Sequence, residues 1–179
     1  MNKQITVFLA SPRANGNSDK IATAFIDGTK MAGNSVNVIS IRDLQINGCI
    51  GCEYCYEHQG ECVQNDDMQD IYRCLEDTDI IVFATPIYYQ SFPAQLKAVI
   101  DRLYVTENRD FPISGAVLLA TYASSGDKMA QQTISYYKCL IEYHEWKNQG
   151  ILAVSSLDGK DDIVGHDALN KAYNLGAQM

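Results

Sequence analysis

The sequence predicts an α/β fold: a doubly wound, five-stranded parallel sheet in the order 2-1-3-4-5 with helices on both faces. Three observations lead there. Five short apolar runs alternate with helical patterns along 179 residues. The runs at 79–85 and 116–120 are apolar almost throughout, the mark of strands covered on both faces. Polar loops follow the first, third and fourth runs, where strand ends should meet helix N-termini.

Each element has its own justification. Residues 5–10 (Ile5-Thr6-Val7-Phe8-Leu9-Ala10) form the first apolar run. A helix is expected over about 19–31, with Ile21, Phe25, Gly28 and Ala32 on one face, and Gly33-Asn34 ends it. Residues 35–41 alternate and predict a second strand. An irregular segment, 48–62, carries four of the six cysteines. The next helix starts at Asp66-Asp67 and turns Met68, Ile71, Tyr72 and Leu75 inward; Cys74 reads as a small buried side chain. The third strand is 79–85. After loop 86–91, Pro93 suits the first turn of a helix bearing Leu96, Val99, Ile100 and Leu103. The fourth strand is 116–120, the next helix about 127–143, and the fifth strand 151–154. A last helix, about 167–178, is expected to bury Leu169, Ala172 and Tyr173. No repeat, linker or low-complexity tract interrupts the chain, so residues 1–179 are expected to form one domain with a cysteine-rich insertion at about 48–66.

Composition narrows the function. The apolar fraction, 46%, is that of a soluble globule. The net charge of −8, from 22 acidic and 14 basic residues, argues against nucleic-acid and anionic-membrane surfaces. No apolar run is long enough to span a bilayer. Residues 1–4 lead straight into the first strand without a signal-peptide pattern, which predicts a cytoplasmic protein. In a reducing compartment, clustered cysteines point to metal or redox chemistry rather than disulfides.

The stretch 11–18 (Ser11-Pro12-Arg13-Ala14-Asn15-Gly16-Asn17-Ser18) lies between the first strand and the first helix. A helix N-terminus gathers backbone N–H groups and aims a positive dipole end at one point. Ser11, Asn15, Asn17 and Ser18 add short donors, Gly16 permits close approach, and Arg13 adds a charge, so a phosphate dianion fits. The plainer reading is a capped turn with Ser18 as the N-cap. Neither G-x-G-x-x-G nor a loop ending in Gly-Lys-Ser/Thr is present. Loops 86–91 and 121–126 share the rim with 11–18 in this topology. Pro86, Ile87, Tyr88 and Tyr89 bring aromatic rings, and Thr121, Tyr122, Ser124, Ser125 and Gly126 form the third side. Together they fit a mononucleotide with a flat ring system.

These residues resemble a known family. Ser-Pro-Arg-x-x-Gly-Asn-Ser (11–18), Ala-Thr-Pro-Ile-Tyr-Tyr (84–89) and Leu-Lys-x-x-Ile-Asp-Arg (96–102) are similar to motifs of the NADPH-dependent FMN reductases. Cys49-x2-Cys52-x2-Cys55-x6-Cys62, followed by Asp66-Asp67-Met68, resembles the iron–sulfur flavoprotein branch. The resemblance covers 5 to about 126, and more loosely the end. It implies a flavodoxin-like fold, bound FMN, and homodimers or homotetramers. It also implies that 11–18 holds the FMN phosphate, that Pro86 to Tyr89 line the isoalloxazine with backbone N–H groups near its reactive edge, and that 121–126 closes the other side of the ring.

Three readings of the cysteine segment stand side by side. Cys-x2-Cys-x2-Cys is a ferredoxin-type spacing, and Cys62 would complete a [4Fe–4S] site. Zinc competes, though structural zinc usually takes two separated pairs. Free thiols in a loop kept for other reasons is the third. The remaining residues read more plainly. Asp101-Arg102 suggests a structural ion pair or interface contact; His58, His144 and His166 read as solvated surface residues; Tyr136-Tyr137 as packing; Tyr88 or Tyr89 could equally pack on a neighbouring subunit.

The expected function is an FMN-dependent oxidoreductase. NAD(P)H donates and a small-molecule acceptor (a quinone, free flavin or nitroaromatic) is reduced; the flavin carries the chemistry, so no catalytic side chain is named. The competing class is an electron carrier receiving electrons from ferredoxin through a cluster at 49–62. A third is a redox-sensing module whose cysteines respond to oxidants.

Overall fold

The computed structural model describes residues 2–179. Its strands are β1 (Gln4–Leu9), β2 (Ser35–Ser40), β3 (Ile80–Pro86), β4 (Gly115–Thr121) and β5 (Lys147–Val154). Its α-helices are α1 (Asn17–Met31), α2 (Tyr54–Glu57), α3 (Met68–Leu75), α4 (Ala94–Arg102), α5 (Lys128–Tyr143) and α6 (Ala168–Gly176). The sheet order is β2-β1-β3-β4-β5 and every pairing is parallel. This is the flavodoxin-like arrangement expected from the alternation of apolar runs.

β3 and β4 are buried along their whole lengths because helices cover both sides. Phe8, Phe83 and Leu118 face one layer, against Met68, Ile71, Tyr72 and Leu75 of α3, Leu96 and Val99 of α4, and Tyr137 of α5. Ile5, Val7, Val82, Val117 and Leu119 face the other, against Ile21, Phe25 and Ala22 of α1 and Ala168 and Ala172 of α6. Removing each of the Val, Leu, Ile, Phe and Met side chains from water contributes roughly 1.5–3 kcal/mol.

Several details differ from the sequence-based expectations. β5 begins at Lys147, not 151, because an edge strand tolerates the polar run Lys147-Asn148-Gln149. Tyr173 is exposed and Leu169 only partly buried. The reason lies in the α1–α6 contact, which is backbone against backbone. A Cβ on Gly28 would meet the Tyr173 carbonyl oxygen at 2.0 Å, and one on Gly176 would meet the Phe25 carbonyl oxygen at 2.0 Å. With the two helices this close, α6 presents glycine and alanine to the core and Tyr173 points away. Ala32, at the C-cap of α1, is exposed, and Pro93 sits at the N-cap of α4 rather than inside it.

His144 is not a solvated surface residue. It is half-buried, stacks on Trp146 with ring centroids 4.4 Å apart, and burial holds its pKa below the ordinary value. Asp101 and Arg102 do not pair with each other: Asp101 binds Lys97, and Arg102 binds Asp66. Cys74 is half-buried, beside Thr6 and Asn37.

Candidate functional site

The order 2-1-3-4-5 leaves a crevice beyond the carboxyl ends of β1 and β3, where the chain leaves neighbouring strands toward opposite faces. A cavity of about 200 Å³ lies there. Ser11, Arg13, Gly16, Asn17 and Ser18 line it from the first loop; Pro86, Ile87 and Tyr88 from the second; Thr121, Tyr122 and Ala123 from the third.

The N-terminus of α1 opens into this cavity. Its N-cap is Gly16, and no side chain caps the helix. Ser18 is therefore not the N-cap. Its hydroxyl lies 2.7 Å from the Thr121 hydroxyl, both groups being buried, and ties the first loop to the end of β4. The first N–H groups of the helix are left for an anion, which is the arrangement that binds phosphate. A Cβ on Gly16 would stand 3.1 Å from the Arg13 carbonyl oxygen, so a larger residue would crowd the bend. The Ser11 hydroxyl accepts from the Arg13 N–H at 3.2 Å and fixes the turn. Arg13 is exposed and its charge is open to a ligand.

Other residues of the three loops stand elsewhere. Asn15 is exposed outside the cavity, in a left-handed conformation (φ 57°), and its N–H goes to Asp19. Tyr89 is fully exposed, and Ser124, Ser125 and Gly126 are exposed beyond the lining. The Ile87 N–H donates to the Thr121 carbonyl and the Tyr88 N–H to the Ser91 carbonyl, so neither is free for a ring. Tyr88 and Ser91 close a tight turn whose tip, Tyr89 and Gln90, has φ of 50° and 69°. Such a turn favours Asn or Gly; here Thr133 of α5 holds it by donating to the Gln90 carbonyl at 3.1 Å.

A fourth loop, after β5, was not foreseen. Leu157, Asp158 and Lys160 line the same cavity. Asn17 latches it: its amide donates to the Gly159 carbonyl at 2.7 Å, and its side-chain oxygen accepts from the Ile163 N–H at 3.2 Å. Lys20 pairs with Asp161 beside the latch. Asn17 thus spends its side chain on protein. The topology was the available signal, since every loop at a strand's carboxyl end reaches this rim.

The cysteine segment forms a second, larger cavity of about 430 Å³. Cys49, Cys52, Cys55 and Cys62 all line it, together with Tyr54, Tyr72, Arg102, Tyr104 and Val105. Four residues in left-handed conformations (Gly51, Glu53, Gln59 and Gly60) bend the segment back on itself, which is how cysteines thirteen positions apart in sequence come to one wall. Gly60 is pressed against the 105–109 segment; its Cβ would lie 2.3 Å from that of Arg109. His58 stacks on Tyr54 at 3.6 Å and is otherwise exposed. Burial, reinforced by the other three thiols, pushes Cys55 above its ordinary pKa. Among the described residues no three His, Cys, Asp or Glu side chains converge closely enough to hold a single metal ion. A cluster is larger than an ion and takes its thiolates from further apart, so four cysteines around one cavity fit a cluster by donor chemistry.

The sheet order and its flanking helices define a flavodoxin-like fold. The chain belongs to the NADPH-dependent FMN reductase family, whose model matches residues 4–155. It is similar to an iron-sulfur flavoprotein of Archaeoglobus fulgidus, 32% identical over 174 residues that cover 96% of this chain and 76% of that one. It is also similar to an iron-sulfur flavoprotein of Methanosarcina thermophila, 30% identical over 84% of this chain and 76% of the relative. Among solved structures, the NAD(P)H:quinone oxidoreductase of Methanothermobacter marburgensis superposes with a TM-score of 0.80 at 19% identity, covering 99% and 96% of the two chains. An azoreductase of Bacillus anthracis superposes at 0.73 with 16% identity over the full length of both. Among the described residues no helix is long and apolar enough to cross a membrane.

Proposed function

We propose that this protein is an FMN-dependent NAD(P)H oxidoreductase that reduces quinones, flavins or similar small acceptors. The observation that carries the reading is the uncapped N-terminus of α1 opening into a cavity shared by loops from β1, β3, β4 and β5. Family membership supports FMN and NAD(P)H.

Bound FMN supplies the redox chemistry. The residues around it bind and orient. The N–H groups opening α1, with Ser11, Arg13, Gly16 and Ser18, take the phosphate. Pro86, Ile87 and Tyr88 form one wall of the ring site; Thr121, Tyr122 and Ala123 form the other, and Asn17 holds Leu157, Asp158 and Lys160 in place. Asn15, Tyr89, Ser124, Ser125 and Gly126 stand at the rim, where NAD(P)H and the acceptor would approach in turn. Tyr88 and Tyr89 are exposed, and a second copy of the chain in a homodimer or homotetramer would bury them. We place the protein in the cytoplasm, where thiols stay reduced, and treat 1–179 as one FMN-binding domain.

The second reading is an electron carrier, and one observation favours it: Cys49, Cys52, Cys55 and Cys62 line a single cavity. These four thiolates would hold a [4Fe–4S] cluster, which supplies one-electron chemistry, with ferredoxin as donor. Anaerobic assays separate the two. Steady NAD(P)H oxidation coupled to a quinone supports the enzyme; reduction through ferredoxin alone supports the carrier and refutes the enzyme.

A further inference from the structure

The wall behind the four cysteines carries a buried charge. Arg102, at the end of α4, is only 2% exposed and is among the largest fully buried side chains of the protein. Its guanidinium reaches both flanks of the cysteine segment. Nη1 donates to the Asn47 carbonyl at 3.2 Å and to the Asp66 carboxylate at 2.7 Å, and Nη2 donates to the Gln64 carbonyl at 3.4 Å. Asn47 precedes the first cysteine by two positions, and Gln64 follows the last by two. One side chain therefore staples the segment at both ends.

Asp66 also accepts from the N–H groups of Asn47 and Met68 and so belongs to the staple. One feature exceeds what a staple needs. The Nε–H of Arg102 is buried and has no hydrogen-bond partner. A buried donor without a partner is costly, and an acceptor arriving in the cavity would relieve that cost. Arg102 lines the cysteine cavity, and Cys62 and Tyr72 line it too. Tyr72 in turn donates to the Arg102 carbonyl at 2.9 Å and fixes the end of α4.

We infer that Arg102 is the positioning residue of the cysteine cavity, closing the segment from both flanks and setting its positive charge against an anionic iron–sulfur group held by Cys49, Cys52, Cys55 and Cys62. The inference rests on the cluster reading of those cysteines. Four thiolates around iron and sulfide form a net anion, and its removal from water calls for a fixed cation and for donors toward sulfur. Arginine suits the task because its planar fork serves several acceptors at once and stays charged when buried; lysine is a compact point charge without that fixed fork.

The test uses R102Q and R102K in the full chain, reconstituted anaerobically with ferrous iron and sulfide. Iron, sulfide and FMN per chain, the melting temperature and the reduction potential of the iron centre are measured. Wild type should hold about four irons per chain. R102Q should lose about tenfold or more in iron affinity, as outer partners of metal sites commonly do, while FMN stays at the wild-type ratio. Any centre left in R102Q should have a more negative potential, because a positive charge has gone. R102K should hold an intermediate amount of iron at a potential near that of wild type. Wild-type iron and potential in R102Q overturn the inference. A parallel fall of iron, FMN and melting temperature with no change of potential also overturns it, since that is the signature of a purely structural residue. If R102Q does not fold, R102K decides, and full iron in that variant overturns the inference. Wild type that takes up no iron overturns the cluster reading itself, and this inference with it.

Discussion

Ser18→Ala separates phosphate binding from the integrity of the fold. The Ser18 and Thr121 hydroxyls are 2.7 Å apart and buried. Without ligand, the substitution removes one neutral hydrogen bond, about 1 kcal/mol, and leaves Thr121 with an unmet polar group costing about 1–3 kcal/mol. Against FMN it also removes a hydroxyl beside the start of α1. A hydrogen bond to a charged phosphate is worth about 1.5–3 kcal/mol, or roughly tenfold to a hundredfold in Kd. Riboflavin has the same ring and no phosphate, so its affinity should be unchanged. Thr121→Val supplies the control: it breaks the same Ser18–Thr121 bond yet leaves the Ser18 hydroxyl for the phosphate, so stability falls with a smaller loss of FMN affinity. Titration of apoprotein by flavin fluorescence, beside thermal melts, measures both. Unchanged FMN affinity in folded Ser18→Ala, or equal weakening toward riboflavin and FMN, refutes the placement of the phosphate at this loop.

Three further outcomes are expected. Asn17→Ala removes both bonds to the loop after β5; amide exchange over 156–163 should quicken and FMN affinity should fall, and unaltered exchange would contradict the latch. Gly28→Ala drives a methyl into the Tyr173 carbonyl, so it should cost about 1–3 kcal/mol or more, read as a lower melting temperature with FMN affinity unchanged once folded. His144 has a depressed pKa in the folded chain because it is buried. The unfolded chain then binds more protons just below the ordinary value of about 6.5, so this residue's contribution is complete above that pH and is lost as pH falls through the lower folded value. His144→Gln should flatten that part of the stability–pH profile, and an identical profile would show that another group is responsible.

The sheet was legible because buried parallel strands are continuous apolar runs, and 79–85 and 116–120 are of that kind. The first half of β5 was not, since Lys147-Asn148-Gln149 carries no hydrophobic signal and owes its conformation to pairing with β4. The loop 11–18, proposed to hold the phosphate, stands out in the sequence because its parts are contiguous. The loop carrying Lys160 was hidden because its link to Asn17 spans more than 140 positions. Asp101 and Arg102 illustrate the same limit. Neighbours on a helix point in different directions, so adjacency suggested a pair, whereas Arg102 turns into the core toward Asp66, 36 positions away. The spacing of the four cysteines marks them as one group, and the left-handed turns at Gly51, Glu53, Gln59 and Gly60 bring them to one cavity.

Binding of FMN in the cavity at the ends of β1, β3, β4 and β5, and its presentation to NAD(P)H, are checked by anaerobic spectrophotometry of the purified protein, followed by acid release and chromatography of the flavin. One FMN per chain is expected after reconstitution, with its visible absorbance bleached on adding NADH or NADPH. Release of FAD, failure to bind any flavin, or bound FMN that neither nucleotide bleaches would contradict the proposed function.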